Sequence, residues 1–412
     1  MKLLYICGIT PDYPALLRPL PPLDSGAPHG NIFRLVEFLA QYHWDEIEIV
    51  IISAMSPGQQ SFMQASWPST SVFGEYRHVI IPDGWRKLSS WLNKNIPFLS
   101  GVLRRLFGAY SLQGWYYFRQ IQNIYRDWQP NWVILDDAPQ YIPTLLRFVP
   151  REKVSFYCRY DIGSSRRFLH WPSRVLVSNE AMGDWVKKIN QQVLKCEIVH
   201  NTLPIEFSHR DFNPDRFHAT SKTILFVGRI TPQKGIQHLI PAFVKIRAVE
   251  PLARLVIVGA ENPASLGNQK NSLSAFELEM RQLAQQFLPS DSVIWRGWLS
   301  HEELIAQYGL AYLAVYPSVY MESFGNVALE AMASGLPVVA SDRPGFRSLL
   351  EKGGGMLVSD PTNEVQLAQV ILRLLQDPDL AENLGYQAFQ VAQQYTVNRA
   401  ATEFLSVLKI EQ

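Results

Sequence analysis

The chain has 412 residues, with 38 Lys and Arg against 37 Asp and Glu, so its formal net charge is +1. Hydrophobic residues make up 47% and charged residues 18%, enough for sizeable cores; disorder, collagen and coiled coil are excluded as descriptions of the whole chain. The near-neutral balance argues against bulk electrostatic binding of nucleic acid, and at roughly 100–200 residues per domain two or three domains are expected.

Three cysteines, Cys7, Cys158 and Cys196, are too widely spaced for a disulfide framework or a C-x-x-C metal knuckle. They read as thiols in a reducing cytosol. The apolar start of the chain lacks a small-residue cleavage site and runs straight into Pro and Asp. No apolar stretch approaches the ~18–20 residues needed to span a bilayer. A cytoplasmic protein is expected, associated at most with the inner face of the membrane.

Short β-branched runs at 3–7, 47–53, 132–135, 154–157 and 175–178 predict strands, with helical spacing at 31–41 and 181–188 between them. The pattern restarts near Lys222. Strands are then expected at 223–227, 254–258, 293–295, 311–316 and 337–340, and helices at 236–249, 274–286, 301–307, 327–333 and 364–376. Such alternation, with nearly continuous apolar strands, implies α/β domains built on parallel sheets covered on both faces. The spacing divides the chain into a domain at 1–203, an aperiodic linker at 204–221, a second domain at 222–385 and a surplus helical segment at 386–412. Ligands of open α/β sheets bind outside the carboxyl ends of the strands, so the loops that follow strands are where chemistry is to be sought.

Two such loops stand out in the second half. After the strand at 223–227, Gly228 permits a tight exit, and Arg229, Lys234 and Gly235 precede a helix. Two cations near a helix N-terminus suit a diphosphate; they read equally as solvated surface charges. The spacing is not a P-loop. After the strand at 311–316 the loop carries Glu322, Ser323, Phe324, Gly325 and Asn326, and Val327 opens an Ala-rich helix with Glu330 near its first turn. Free backbone N–H groups at 324–327 favour an anion. Each carboxylate can accept hydroxyls from a different part of one extended ligand, Glu330 from a ribose and Glu322 from a sugar ring. The plainer alternative makes Glu322 a solvated loop residue and Glu330 a favourable charge in the first turn of the helix.

GRITPQKG and ESFGNVALEAMASGLPVVAS, joined through VIWRGWLSHEELIAQYGLAYLAVYPS, resemble the retaining, nucleotide-sugar-dependent glycosyltransferases of family 4, with the E-x7-E motif at Glu322 and Glu330. The resemblance is strong over 223–350 and diffuse over the N-terminal half. It implies the GT-B fold: two Rossmann-like, doubly wound parallel-sheet domains facing across a cleft, with the last helix crossing back onto the N-terminal domain. It implies a UDP-, GDP-, ADP- or dTDP-sugar as donor, a hydroxyl of a glycan or lipid-linked acceptor, and neither metal nor resident cofactor. On these positions Arg229 and Lys234 would hold the diphosphate, Glu330 the ribose, and Glu322 with Phe324 and Gly325 the transferred sugar. Gly228, Ser323 and the backbone of Asn326 and Val327 would complete the donor side. A non-catalytic GT-B-like sugar-nucleotide-binding protein and a UDP-sugar epimerase are the alternatives.

The N-terminal half supplies the acceptor-side candidates. Gly26 and Gly30, with His29, resemble the family's Gly-rich loop after the first strand, which lies against donor phosphate or acceptor. The spacing is not a dinucleotide fingerprint, and His29 also reads as an exposed loop histidine. Many family members carry a histidine where this chain has Asp136 and Asp137. Asp137 is the candidate for that place, and loop-start capping is its alternative. Asp161 and Arg166 follow another strand end, Arg166 either binding an acidic acceptor or facing solvent.

Between Asp83 and Asp127 no acidic residue occurs, while Arg86, Lys87, Lys94, Arg104, Arg105, Arg119 and Arg126 alternate with Trp85, Trp91, Phe98, Phe107 and Trp115. This suits an anionic membrane surface, equally a phospholipid- or polyprenyl-linked acceptor, or a helical hairpin with a solvated basic face. Asp377-Pro378-Asp379 lies between two helices and reads as capping rather than metal binding.

Overall fold

The computed structural model describes residues 1–7, 34, 35, 38, 39, 47–55, 70, 71, 74–80, 88, 91, 95, 112–136, 138–159, 162–193, 195–208, 211–220, 222–260 and 273–409. The chain forms two compact units, Met1–Thr202 with Val397–Gln412 and Leu203–Thr396.

In the first unit the strands are β1 (Lys2–Cys7), β2 (Glu48–Met55), β3 (Thr70–Ser71), β4 (Gly74–Ile80), β5 (Trp132–Asp136), β6 (Val154–Cys158), β7 (Arg174–Val177) and β8 (Cys196–Ile198). They form one sheet in the order β3-β4-β2-β1-β5-β6-β7-β8, parallel except for the β3–β4 pair. Leu3, Leu4, Tyr5 and Ile6 are all buried, as a strand covered on both faces requires. The chain runs outward from β1 to β4 and then returns to β5 on the other side of β1. The switch point of this sheet therefore lies between β1 and β5.

The helix Leu112–Trp128 buries Tyr117, Phe118, Ile121 and Tyr125 and exposes Arg119 and Arg126. For this part of the basic, aromatic stretch the solvated basic face is what the structure displays. Leu88 and Trp91, earlier in the stretch, are exposed.

The helix Val397–Lys409 packs in the first unit. Ala400, Ala401, Phe404, Val407 and Leu408 join Leu3, Tyr5, Trp132 and Ile134 in one buried cluster. Arg174 donates to the carbonyl of Val407, and its guanidinium lies 4.6 Å from the Trp132 ring centroid. Glu403 Oε2 accepts from the backbone N–H of His200 (2.9 Å), its Oε1 lies 2.8 Å from His200 Nδ1, and Arg399 Nε donates to Oε1 at 2.9 Å.

In the second unit the strands are β9 (Thr223–Val227), β10 (Arg254–Val258), β11 (Val293–Gly297), β12 (Leu313–Tyr316), β13 (Val338–Ser341) and β14 (Gly355–Val358). All neighbours are parallel, in the order β11-β10-β9-β12-β13-β14. Here the switch point lies between β9 and β12, so the loops leaving those two strands open onto the same place. Two apolar layers cover the sheet. One contains Leu239, Phe243, Ile371 and Leu375, the other Leu329, Met332, Phe346 and Tyr395.

The unit boundaries differ from those read from periodicity, for a physical reason. Leu203, Phe207 and Phe217 are buried in the second unit, Phe217 meeting Tyr312 edge to face at 5.4 Å. Isolated aromatic anchors hold 204–208 and 211–220 there, and they leave no periodic signature. The helix Pro378–Ala392 likewise stays in the second unit through Ala388, Val391 and Ala392, so the segment that belongs with the first unit begins at Val397 rather than at 386. Asp377 caps that helix, its Oδ1 accepting from Leu380 N at 3.0 Å.

Burial alone would raise the pKa of Glu403, but hydrogen bonds from His200, the charge of that ring and Arg399 hold it below the usual carboxylate value. A depressed carboxylate contributes stability above its unfolded pKa of about 4.3 and loses it as pH falls through the native value. Glu403→Gln is therefore expected to lower the melting temperature at pH 7, with the gap to wild type closing as the pH drops below about 4. A gap that persists unchanged to pH 3 would remove this account of how the last helix is held.

Candidate functional site

The loop after β9 and the loop after β12 are brought into direct contact. Gly235 adopts φ +78°, and a Cβ built on it would sit 1.9 Å from the carbonyl oxygen of Pro317. Only glycine allows that approach together with that backbone conformation. From there the loops are laced by backbone. Val319 N donates to Gln233 O at 3.0 Å, and Ser318 Oγ lies 3.3 Å from the same carbonyl.

This lacing sets Lys234 beside Glu322. Lys234 Nζ pairs with Glu322 Oε1, and Ser318 Oγ donates to the same oxygen at 2.7 Å. Both charged side chains are partly exposed, so a ligand can reach them. Arg229 is exposed at the strand exit and makes no ion pair with the described residues. Gly228 and Gly259 pack together, a Cβ on Gly259 falling 1.9 Å from Gly228 O.

Glu322 is held from a third side. Arg343 donates to the carbonyls of Ser318 (3.3 Å) and Val319 (3.2 Å), and Gly345 N donates to the Glu322 carbonyl at 2.7 Å. Phe324 is buried, and Gly325, at φ +91°, is the N-cap of the helix Asn326–Ala333. The N-terminus of a helix carries a partial positive charge and favours an anion. Ser323 and Asn326 are partly exposed at this end.

Glu330 is buried on that helix, and Tyr308 Oη lies 3.2 Å from its Oε2. The two tyrosines beneath it stay protonated. Burial pushes both phenols well above their ordinary pKa, and the carboxylate of Glu330 raises both further. Ser318, Arg343, Gly345 and Tyr308 were not singled out in the sequence. Tyr308 and Arg343 lie on separate elements from the motif loops and leave no spacing signal. Ser318, directly after the strand's Tyr-Pro, could have been found as a hydroxyl on the motif loop itself.

On the acceptor side, Gly26, His29, Gly30, Asp137 and Asp161 lie outside the described residues. Arg166 is exposed, in the 3-10 turn Gly163–Phe168. Asp136 ends β5 at the switch point of its sheet, and its carboxylate is fully buried. Arg159 Nε lies 2.9 Å from both oxygens, and Tyr5 Oη donates to Oδ2 at 2.5 Å. The guanidinium stacks on Tyr157, 3.7 Å from the ring centroid, and its Nη1 reaches Asn201 Oδ1 at 3.4 Å. Burial works against the charge on Arg159, yet Asp136 and the tyrosines at 5 and 157 keep it well above its ordinary pKa. Burial pushes the Tyr157 hydroxyl up to about 12. Asp136 is thus the anion of a buried ion pair, while the next turn is strained, Ala138 sitting at φ +52°.

At its switch point this doubly wound parallel sheet carries two cations, two carboxylates and a helix N-terminus. Residues 208–391, a little under half of the chain, match the family model described as Glycosyl transferases group 1. A D-inositol 3-phosphate glycosyltransferase of Jonesia denitrificans is 34% identical over 190 residues, 45% of this chain and 42% of that protein. The match spans less than half the length of the curated relatives. Over nearly the whole chain the fold is that of sucrose-phosphate synthase from Thermosynechococcus elongatus, with TM-score 0.70, 19% identity, and 99% and 98% of the two chains covered. Anabaena HepE in complex with UDP-glucose gives TM-score 0.65 at 17% identity, covering 99% of both chains.

Taking one partner from a buried ion pair strands the other charge, at a cost of about 3–5 kcal/mol. Asp136→Ala is expected to lose that much in urea unfolding monitored by fluorescence. A midpoint within error of wild type would show that the pair carries no such weight.

Proposed function

We propose that this chain is a retaining glycosyltransferase that moves a sugar from a nucleoside diphosphate-sugar to a hydroxyl of a glycan or lipid-linked acceptor. The observation that carries the reading is the convergence of Lys234, Glu322 and the N-terminus of Asn326–Ala333 at one switch point. The group 1 domain supports it, as do a relative named for glycosyl transfer and a fold neighbour solved with UDP-glucose.

In this reading the diphosphate takes Lys234 from Glu322 and lies against the backbone N–H groups at 324–327, with Arg229 closing on it. Glu322, still held by Ser318, turns to the hydroxyls of the sugar ring, and Glu330 accepts from the ribose. As the bond from the anomeric carbon to the leaving phosphate oxygen breaks, negative charge grows on the diphosphate. Fixed cations and N–H dipoles stabilise that charge more in the transition state than before it. The acceptor oxygen bonds to the anomeric carbon from the leaving-group side, and its proton passes to the departing phosphate oxygen, so configuration is kept. Two cations and a helix N-terminus supply the positive potential that a divalent ion supplies elsewhere, and the reaction is proposed to need no metal or resident cofactor. The exposed Leu88 and Trp91, within a stretch free of acidic residues, support peripheral contact with an anionic membrane on the acceptor side.

A ligand that binds the folded state raises the melting temperature by mass action, so a screen of UDP-, GDP-, ADP- and dTDP-sugars is expected to single out one base. Arg229→Ala and Lys234→Ala should each lower turnover by roughly 10²–10³-fold; turnover unchanged in both would end this assignment. Donor binding with neither transfer nor slow donor hydrolysis would favour a binding protein, and a new sugar nucleotide formed without acceptor would favour an epimerase.

A further inference from the structure

We infer that Tyr308 is a positioning residue for Glu330 and, through it, sets the preference of this site for a nucleotide with intact ribose hydroxyls. The inference rests on the donor reading above and deepens it.

Glu330 is only 6% exposed and Tyr308 is fully buried. A carboxylate sunk this far needs hydrogen-bond donors to remain ionised and oriented. Tyr308 Oη lies 3.2 Å from Glu330 Oε2 and 3.3 Å from the carbonyl of Val327, and Tyr316 Oη donates to that same carbonyl at 2.9 Å. A single phenolic proton serves one acceptor at a time. Of the two acceptors in reach of Tyr308 the carboxylate is the charged and therefore the stronger one, and the Val327 carbonyl also has Tyr316. Tyr308 comes from the helix His301–Leu310 and Glu330 from Asn326–Ala333, so the bond ties the carboxylate to a second, independently packed element. Phe207 fixes the ring from another side, edge to face at 5.7 Å. A phenol held neutral by burial donates throughout the range in which the protein is folded. Its bond fixes the carboxylate rotamer and occupies Oε2. The carboxylate meets the ligand already aimed, and a nucleotide lacking a ribose hydroxyl leaves it without that partner.

The test is calorimetric titration of UDP, GDP and ADP, each with its 2′-deoxy and 3′-deoxy analogue, into wild type, Tyr308→Phe, Glu330→Gln and Tyr312→Phe. Tyr312 is a control: its buried hydroxyl lies 3.2 Å from the carbonyl of Leu374, in the opposite layer of the same unit. Tyr308→Phe is expected to weaken the preferred ribonucleotide about tenfold, as for loss of a hydrogen bond to a charged group. It should leave that nucleotide's deoxy analogue within twofold, so the ribo-to-deoxy affinity ratio falls. Glu330→Gln should lower the same ratio, and Tyr312→Phe should keep it. A merely structural Tyr308 would weaken ribo and deoxy forms alike. A ratio that survives Tyr308→Phe but falls in Glu330→Gln overturns the inference and spares the ribose assignment. A ratio that survives Glu330→Gln, or no binding of any of the three nucleotides to wild type, overturns both.

Discussion

No side chain fits between residue 235 and the carbonyl of Pro317, and the geometry of the second unit's switch point follows from that close approach. Because Gly235 lets the loop after β9 touch the loop after β12, Gln233 can accept from Val319, and Lys234 can reach Glu322 across 88 residues of sequence. The ion pair itself is too exposed to hold the loops, since partly solvated pairs contribute about 1 kcal/mol or less. Its importance is chemical. Each charge neutralises the other, and Ser318 holds the same carboxylate oxygen while Gly345 holds the Glu322 backbone. The lacing is structural, and the charges stay partly exposed.

Most of this arrangement was legible where the chain is most regular. The strands at 223–227 and 254–258 and the helices at 236–249 and 364–376 coincide with the observed elements, because buried parallel strands and amphipathic helices write their period into the sequence. The motif loops were legible because Gly, Lys, Glu and Asn together are costly anywhere but at a strand exit or helix start. What escaped has physical causes. β8 and β14 are short strands at sheet edges, only partly buried for most of their length, and so lack an apolar run. Tyr308 reads as one more aromatic on a helix whose apolar signal is weak. Its hydroxyl matters only because Tyr316 and Glu330 fold against it.

Carboxylates at the two switch points meet opposite fates, and the difference was invisible in one dimension. Asp136 ends an apolar strand next to the switch, and Glu322 lies in the loop that follows one. Asp136 is sunk at 0% exposure against a stacked guanidinium and a tyrosine hydroxyl; every favourable site around it is taken, and the pair serves the fold of the first unit. Glu322 is met by a lysine and a serine at the surface, in reach of solvent. Both are carboxylates near a switch point, and the deciding variable was the partner: a buried arginine from the neighbouring strand end, or a flexible lysine from the adjoining loop.

That contrast also explains why the donor side tolerates so much charge without a buried network of its own. Arginine brings a planar fork that locks onto one carboxylate, whereas lysine is a point charge on a mobile stem that exchanges partners at little enthalpic cost. For the donor binding proposed above, exposed Arg229 and exchangeable Lys234 suit gripping and releasing a diphosphate better than a desolvated pair, whose separation would cost several kcal/mol. The permanent interactions are placed one layer further in, where Tyr308, Arg343 and the two close-packed glycines fix the loops and the carboxylates without touching the ligand. Rigidity beneath and exchangeable charge above is the division of labour on which the proposed donor binding would draw.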